Sequence, residues 1–152
     1  AGTIGNIKNP QKIFFVRVTP NIHLSAKDAY EGLIPLQQQF RERALYSTDK
    51  FRNLLESGNF DYTQMINTFD NELERSQAAF PKHPQLKELK NDIARRNPVI
   101  NAMMSGSGPT ILGFVRSRSE AETLSQILSS DYPDFEVGWN FTLDYVAEMI
   151  NF

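Results

Sequence analysis

The chain has 152 residues and no cysteine, which suits one domain and leaves no disulfide framework, thiol nucleophile or cysteine-bound metal. Its 16 basic and 18 acidic residues give a net charge of -2, without the basic excess of an electrostatic nucleic-acid binder. No apolar run approaches the length of a membrane span, and no signal-peptide pattern is visible.

Residues 1–11 are polar and rich in Gly and Asn, so they read as a linker or an edge segment. Lys12 to Thr19 is rich in β-branched and aromatic residues and stops at Pro20, which predicts a strand. Pro20-Asn21 is turn chemistry, and Ile22 to Leu24 reads as a short extended piece. Ser25, with Asp28 three residues on, caps a helix that carries Ala29, Tyr30 and Leu33 and is limited by Pro35. Leu36 to Ala44 and Asp49 to Ser57 repeat helical spacing, and Gly58-Asn59 reads as a stop.

Tyr62 to Phe80 reads as one long helix on Met65, Ile66, Phe69 and Leu73, broken by Pro81 and Pro84. Gln85 to Arg96 is amphipathic on Leu86, Leu89 and Ile93, and ends at Asn97-Pro98. Two apolar runs, Pro98 to Met104 and Ile111 to Val115, read as neighbouring strands. Ser119 and Glu122 form a predicted capping box for a helix to Leu128, with Ala121, Leu124, Ile127 and Leu128 buried. Phe135 to Phe141 alternates as a strand, and Thr142 to Phe152 is a short closing helix or an irregular tail. The order is a ferredoxin-like split βαβ plan of the α+β class. It implies a four-stranded antiparallel sheet with helices on one face, plus inserted helices.

The most informative stretch joins the second and third strands: Met103-Met104-Ser105-Gly106-Ser107-Gly108-Pro109-Thr110. It is longer than a two-residue hairpin turn. Two glycines allow positive φ and close approach, and successive N–H groups beside two hydroxyls suit an anion such as phosphate. The plainer reading is a hairpin turn with convenient glycines. It is not a P-loop, because no lysine follows the glycines.

Other candidates are weighed against plainer roles. Tyr30 could stack on a flat ligand ring, or be a core tyrosine. The carboxylates of Asn71-Glu72-Leu73-Glu74 could act in acid–base chemistry, but a solvated helix face accounts for them more simply. His23 and His83 are far apart without metal-ligand spacing, so no metal site is expected. Phe14, Val16 and Val18 suggest a base-stacking sheet, but the aromatic–glycine–basic signature of RNA-recognition domains is absent.

Met-Ser-Gly-Ser-Gly-Pro-Thr before an apolar strand resembles the third signature of the GHMP kinases. Within that superfamily the similarity is to the branch acting on 4-diphosphocytidyl-2-C-methylerythritol, and it runs through most of the chain. Ile13 to Asn21 resembles the strand opening the family's C-terminal domain, and Leu24-Ser25-Ala26-Lys27-Asp28-Ala29-Tyr30 its Val-Ser-Thr-x-x-Ala-Tyr. Leu54 to Asn59 resembles Leu-x-Ser-Gly-Asp, and Asn71 to Glu74 resembles Asn-Asp-Leu-Glu. Tyr30 stands where the homoserine kinases usually carry Arg. Three departures stand out: Ala26 replaces Thr, Glu72 replaces Asp, and the span from Tyr30 to Phe51 is longer than usual.

The resemblance implies one domain over residues 1–152, the substrate-side C-terminal domain of an ATP-dependent, cytoplasmic or plastid phosphotransferase. Tyr30 would stack on cytosine, with Ser25, Ala26 and Lys27 close by. Ser105, Gly106, Ser107 and Gly108 would close the phosphate end, and Asn71 would support them. The family's nucleotide loop, general-base Asp and Lys have no counterpart here. Hence no catalytic residue is assigned, and ATP, with Mg2+, would be bound mainly by an N-terminal half of the same kinase. Small-molecule substrate and that half are the implied partners, with neither nucleic acid nor membrane. The competing class is a stand-alone α+β module that binds a small ligand or another chain through its sheet.

Overall fold

A computed structural model describes residues 12–36, 49–54, 56–57 and 61–142. Four strands, β1 (Phe14–Thr19), β2 (Asn101–Met104), β3 (Ile111–Val115) and β4 (Glu136–Phe141), form one antiparallel sheet in the order β2-β3-β1-β4. β1 lies in the middle, where Val16 pairs with Gly113 of β3 and with Trp139 of β4. Its β-branched and aromatic side chains suit a strand packed on both faces. Among the described residues the sheet is accompanied by helices α1 (Ala26–Glu31), α2 (Tyr62–Asn67), α3 (Pro84–Arg95) and α4 (Arg118–Asp131), and residues 49–54 are also helical, as the sequence predicts. This is the α+β, four-stranded antiparallel plan that the sequence predicts.

Strand alternation sends side chains to two cores. Val16, Val18, Ile111, Val115, Ala102 and Met104 face α3 and α4, meeting Leu89, Ile93, Ala121, Leu124 and Leu128. Gly113 lies under α3, and a Cβ there would stand 2.7 Å from the Ile93 methyl. Phe114 turns to the other face and packs with Ile13, Met65 and Ile66, so the inserted α2 covers that side. Burial of these apolar faces is the main stabilising contribution.

The predicted helix from Tyr62 to Phe80 is not continuous. α2 ends after six residues, and a 3-10 turn over Glu72–Arg75 follows. Carbonyls at and just beyond the end of α2 take side-chain donors: the Asn101 amide donates to Ile66 and Phe69 (2.9 and 3.0 Å), and the Thr68 hydroxyl to Met65 (2.6 Å). Asn71 then caps the new turn by accepting from the Leu73 N–H. The Asn101 bonds from a distant strand and the local Thr68 and Asn71 caps together outweigh the helical spacing.

Three smaller expectations also shift. α4 is capped by Ser117, not Ser119: Ser117 accepts from the Glu120 N–H, and Glu120 accepts from the Arg116 N–H. The reciprocal box therefore sits two residues earlier than predicted. Ile127 is 48% exposed, and Ser125 takes its place on the buried face. Pro84 opens α3 at its first turn, where its missing N–H costs nothing. Ile22 to Leu24, read as a short extended piece, has no regular secondary structure and stays outside the sheet. Most of the predicted helix from Leu36 to Ala44, the stop at Gly58-Asn59 and nearly all of the tail after Thr142 lie outside the described residues.

α3 and α4 are joined at one polar seam. Arg96 binds both Asp92 and Asp131, and the Tyr132 hydroxyl donates to Asp92 at 2.6 Å. Burial alone would raise the Asp92 carboxyl, but the Tyr132 hydroxyl and the Arg96 guanidinium outweigh it and hold it below its usual range. Burial, then the Asp92 bond, pushes the Tyr132 hydroxyl up.

Candidate functional site

The Ser105–Thr110 loop closes the hairpin between β2 and β3 at the end of the sheet where β1 leads into α1. Thr19, at the end of β1, shares a 2.8 Å hydroxyl bond with Thr110. Inside the loop, the Ser105 N–H donates to the Thr110 carbonyl (2.8 Å) and the Gly108 N–H to the Ser105 carbonyl (2.9 Å). The N–H groups of Gly106 and Ser107 and the hydroxyls of Ser105 and Ser107 make no hydrogen bond among the described residues. They are the groups that an anion would meet.

The two glycines serve different ends. Gly106 has φ +52° with nothing near its missing Cβ, so it sets the backbone and leaves that side open. Gly108 has φ +81° and is crowded: a Cβ would stand 2.6 Å from the Met104 sulfur and 2.7 Å from a Leu24 methyl. The loop is thereby packed against the residue that precedes the cap of α1.

Ser25 is that cap, accepting from the Asp28 N–H at 3.3 Å, as the sequence predicts. Ala29 is buried and anchors α1, whereas Ala26 and Lys27 are exposed and Lys27 faces Glu31 at 3.8 Å. Tyr30 is 61% exposed, not a core tyrosine, and its hydroxyl has no hydrogen bond among the described residues. The ring is therefore available to a ligand, although exposure by itself assigns none.

Asn71 reaches the loop from the 3-10 turn. Its amide donates to the carbonyls of Met104 and Gly106, both at 2.7 Å, while its oxygen caps Leu73. One side chain thus ties the turn, the end of β2 and the loop together. Ser25 (through Leu24), Asn71 and the loop meet at one end of the sheet, with Tyr30 on the outer side of α1.

Glu74 is a residue that sequence reasoning missed. The solvated-face reading fails for it: the residue is only 6% exposed, and its side chain accepts from the Met104 N–H at 2.7 Å and pairs with Lys90. Its burial depends on β2 and α3, both distant in sequence, so periodicity around Glu74 carries no sign of it.

A cleft of about 820 Å3 opens elsewhere, along the free edge of β2, between Asn53, Gln64, Asn67, Asn101 and Lys90. None of the site residues singled out in the sequence lines it. Among the described residues no three His, Asp or Glu side chains are grouped as metal ligands would be, and no helix is long and apolar enough to cross a membrane.

Residues 47–134, more than half of the chain, match the family described as GHMP kinases C terminal, and the chain belongs to that family. Among its relatives are proteins of Staphylococcus aureus strains JH9 and Newman, provisionally named 4-diphosphocytidyl-2-C-methyl-D-erythritol kinase. They are 29% identical over 118 residues, which is 78% of this chain and 38% of theirs. The chain therefore spans less than two fifths of those relatives.

Solved structures share the fold. One is a 4-(cytidine 5'-diphospho)-2C-methyl-D-erythritol kinase (TM-score 0.60, 17% identity, 86% of this chain and 43% of that one). The L. major mevalonate kinase superposes at TM-score 0.57 with 15% identity, over 88% of this chain and 44% of its own. The Cytophaga hutchinsonii homoserine kinase superposes at TM-score 0.54 with 19% identity, over 86% and 41%.

Proposed function

We propose that this chain is the substrate-side C-terminal part of an ATP-dependent kinase. Its acceptor is the 2-hydroxyl of 4-diphosphocytidyl-2-C-methyl-D-erythritol, in the non-mevalonate route to isoprenoids. The observation that carries this reading is the exposed ring of Tyr30, on a helix whose approach packs against the open Gly-Ser loop. The names of the Staphylococcus relatives support the same substrate.

In this reading the cytosine ring stacks on Tyr30, beside Ser25, Ala26 and Lys27. The free N–H groups of Gly106 and Ser107, with the hydroxyls of Ser105 and Ser107, receive phosphate oxygens. Asn71 holds the loop still. ATP and Mg2+ are held mainly by the N-terminal half, in the cytoplasm. Phosphoryl transfer depends chiefly on positioning and on stabilising the charge of the transferring group, so each half contributes one wall of the site. The isolated chain is expected to show no turnover.

A second reading, another GHMP small-molecule kinase, is favoured by Ala26, which lacks the hydroxyl usual at that place. Titration with cytidine diphosphate and with the complete substrate separates the two, followed by tyrosine and Trp139 fluorescence. Saturable binding lost in Tyr30→Ala is expected. If the isolated chain is silent, the titration is repeated with the N-terminal half present; silence there contradicts the cytidine substrate.

A further inference from the structure

We propose that Glu74 is a positioning residue whose buried carboxylate, by holding the Met104 N–H, sets the geometry of the Ser105–Gly108 loop for phosphoryl transfer. This rests on the phosphate-side reading of the loop given above. Met104 is the last residue of the edge strand β2. Its N–H is taken by Glu74 and its carbonyl by Asn71, both at 2.7 Å. The Glu72–Arg75 turn thus grips Met104 where a further strand would otherwise pair. The Met104 side chain lies against Gly108, and Asn71 also holds the Gly106 carbonyl. Met104 therefore passes the position of the turn directly to the loop.

The charge at Glu74 is informative. A buried carboxylate is costly unless paired and hydrogen-bonded, and an apolar side chain would fill the same space at less cost. Here one oxygen accepts a backbone N–H and the other meets Lys90 of α3, whose ammonium also lies 5.8 Å from the Phe80 ring centre. A charged acceptor binds a backbone N–H more strongly than a neutral one. That fits a group holding one backbone position, because loose support of a site loosens the site itself.

The test uses the full-length polypeptide that contains this chain, with Glu74→Ala, Glu74→Gln and Lys90→Met. Two quantities are read: deuterium uptake of a peptide spanning residues 103–110, and the kcat and KM of transfer from ATP to the cytidylated acceptor. Glu74→Ala is expected to speed exchange of the Met104 amide about tenfold, since its charged acceptor is gone. It is expected to lower kcat at least about tenfold while KM stays within about twofold, because positioning rather than ground-state binding is lost. Glu74→Gln, which keeps an acceptor, should recover most of the kcat, and Lys90→Met should show a smaller loss in the same direction.

Unchanged loop exchange in folded Glu74→Ala overturns the proposal, and so does a rise in KM with kcat intact. If Glu74→Ala does not fold, Lys90→Met decides, and wild-type loop exchange with unchanged kcat in that variant overturns the proposal. A wild-type protein with no transfer to the cytidylated acceptor refutes that substrate reading instead, and the hold on the loop is then judged by exchange alone.

Discussion

Asn71 carries more of the site than its size suggests. It donates to two carbonyls and caps a turn, so removing it leaves the Met104 and Gly106 carbonyls without their donor. Asn71→Ala should lower stability by about 1 kcal/mol, because the bonds it removes are only part-buried or exposed. Urea unfolding measures it, and Asn71→Asp should do no better, because a carboxylate cannot donate. Tyr30 predicts the opposite. Its side chain is exposed and without a hydrogen-bond partner among the described residues, so Tyr30→Ala should change the unfolding midpoint by less than about 0.5 kcal/mol. Any loss of cytidine binding in that variant would then be local. Single residues were legible where their surroundings are local. Ser25 caps its own helix, and the Gly-Ser loop announces its own backbone. Glu74 was illegible, because its burial and both its partners come from β2 and α3.

At the scale of elements, the α3–α4 seam predicts a pH dependence. Asp92 is held below its usual range in the folded chain by Tyr132 and Arg96, against the effect of burial. A carboxyl lowered on folding stabilises the folded state above its unfolded pKa, and that contribution is lost as pH falls through the folded value. Wild type should therefore exceed Asp92→Asn in stability near neutral pH. The gap should close in acid below the ordinary carboxylate range, as urea midpoints across the pH range would show. Both partners keep some solvent exposure, so the gap should be modest. Packing above the sheet makes a larger claim. Ile93 is fully buried over Gly113, and Ile93→Ala should cost about 2–5 kcal/mol through lost burial and a residual cavity. The strands and α3 were legible because their apolar spacing is both long and regular. The break after α2 was not, because the carbonyls of Ile66 and Phe69, on either side of its end, are taken by Asn101 from another strand. The cap of α4 was misplaced because Ser117 and Ser119 both precede an acidic residue by three positions.

For the whole molecule, chain order was enough to predict the sheet, since a split βαβ order leaves few antiparallel arrangements that avoid crossed connections. In the proposed function, the other wall of the site lies outside this chain. This chain spans 38% of the length of its Staphylococcus relatives, and the nucleotide-binding motifs of the family are not in it. The most direct test of the account is therefore phosphoryl transfer by the full-length polypeptide that contains this chain. It is offered ATP and, in parallel, diphosphocytidyl-methylerythritol, homoserine and mevalonate. The account predicts saturable transfer to the cytidylated acceptor alone, reduced by Tyr30→Ala. Transfer to homoserine or mevalonate with none to the cytidylated acceptor would contradict it.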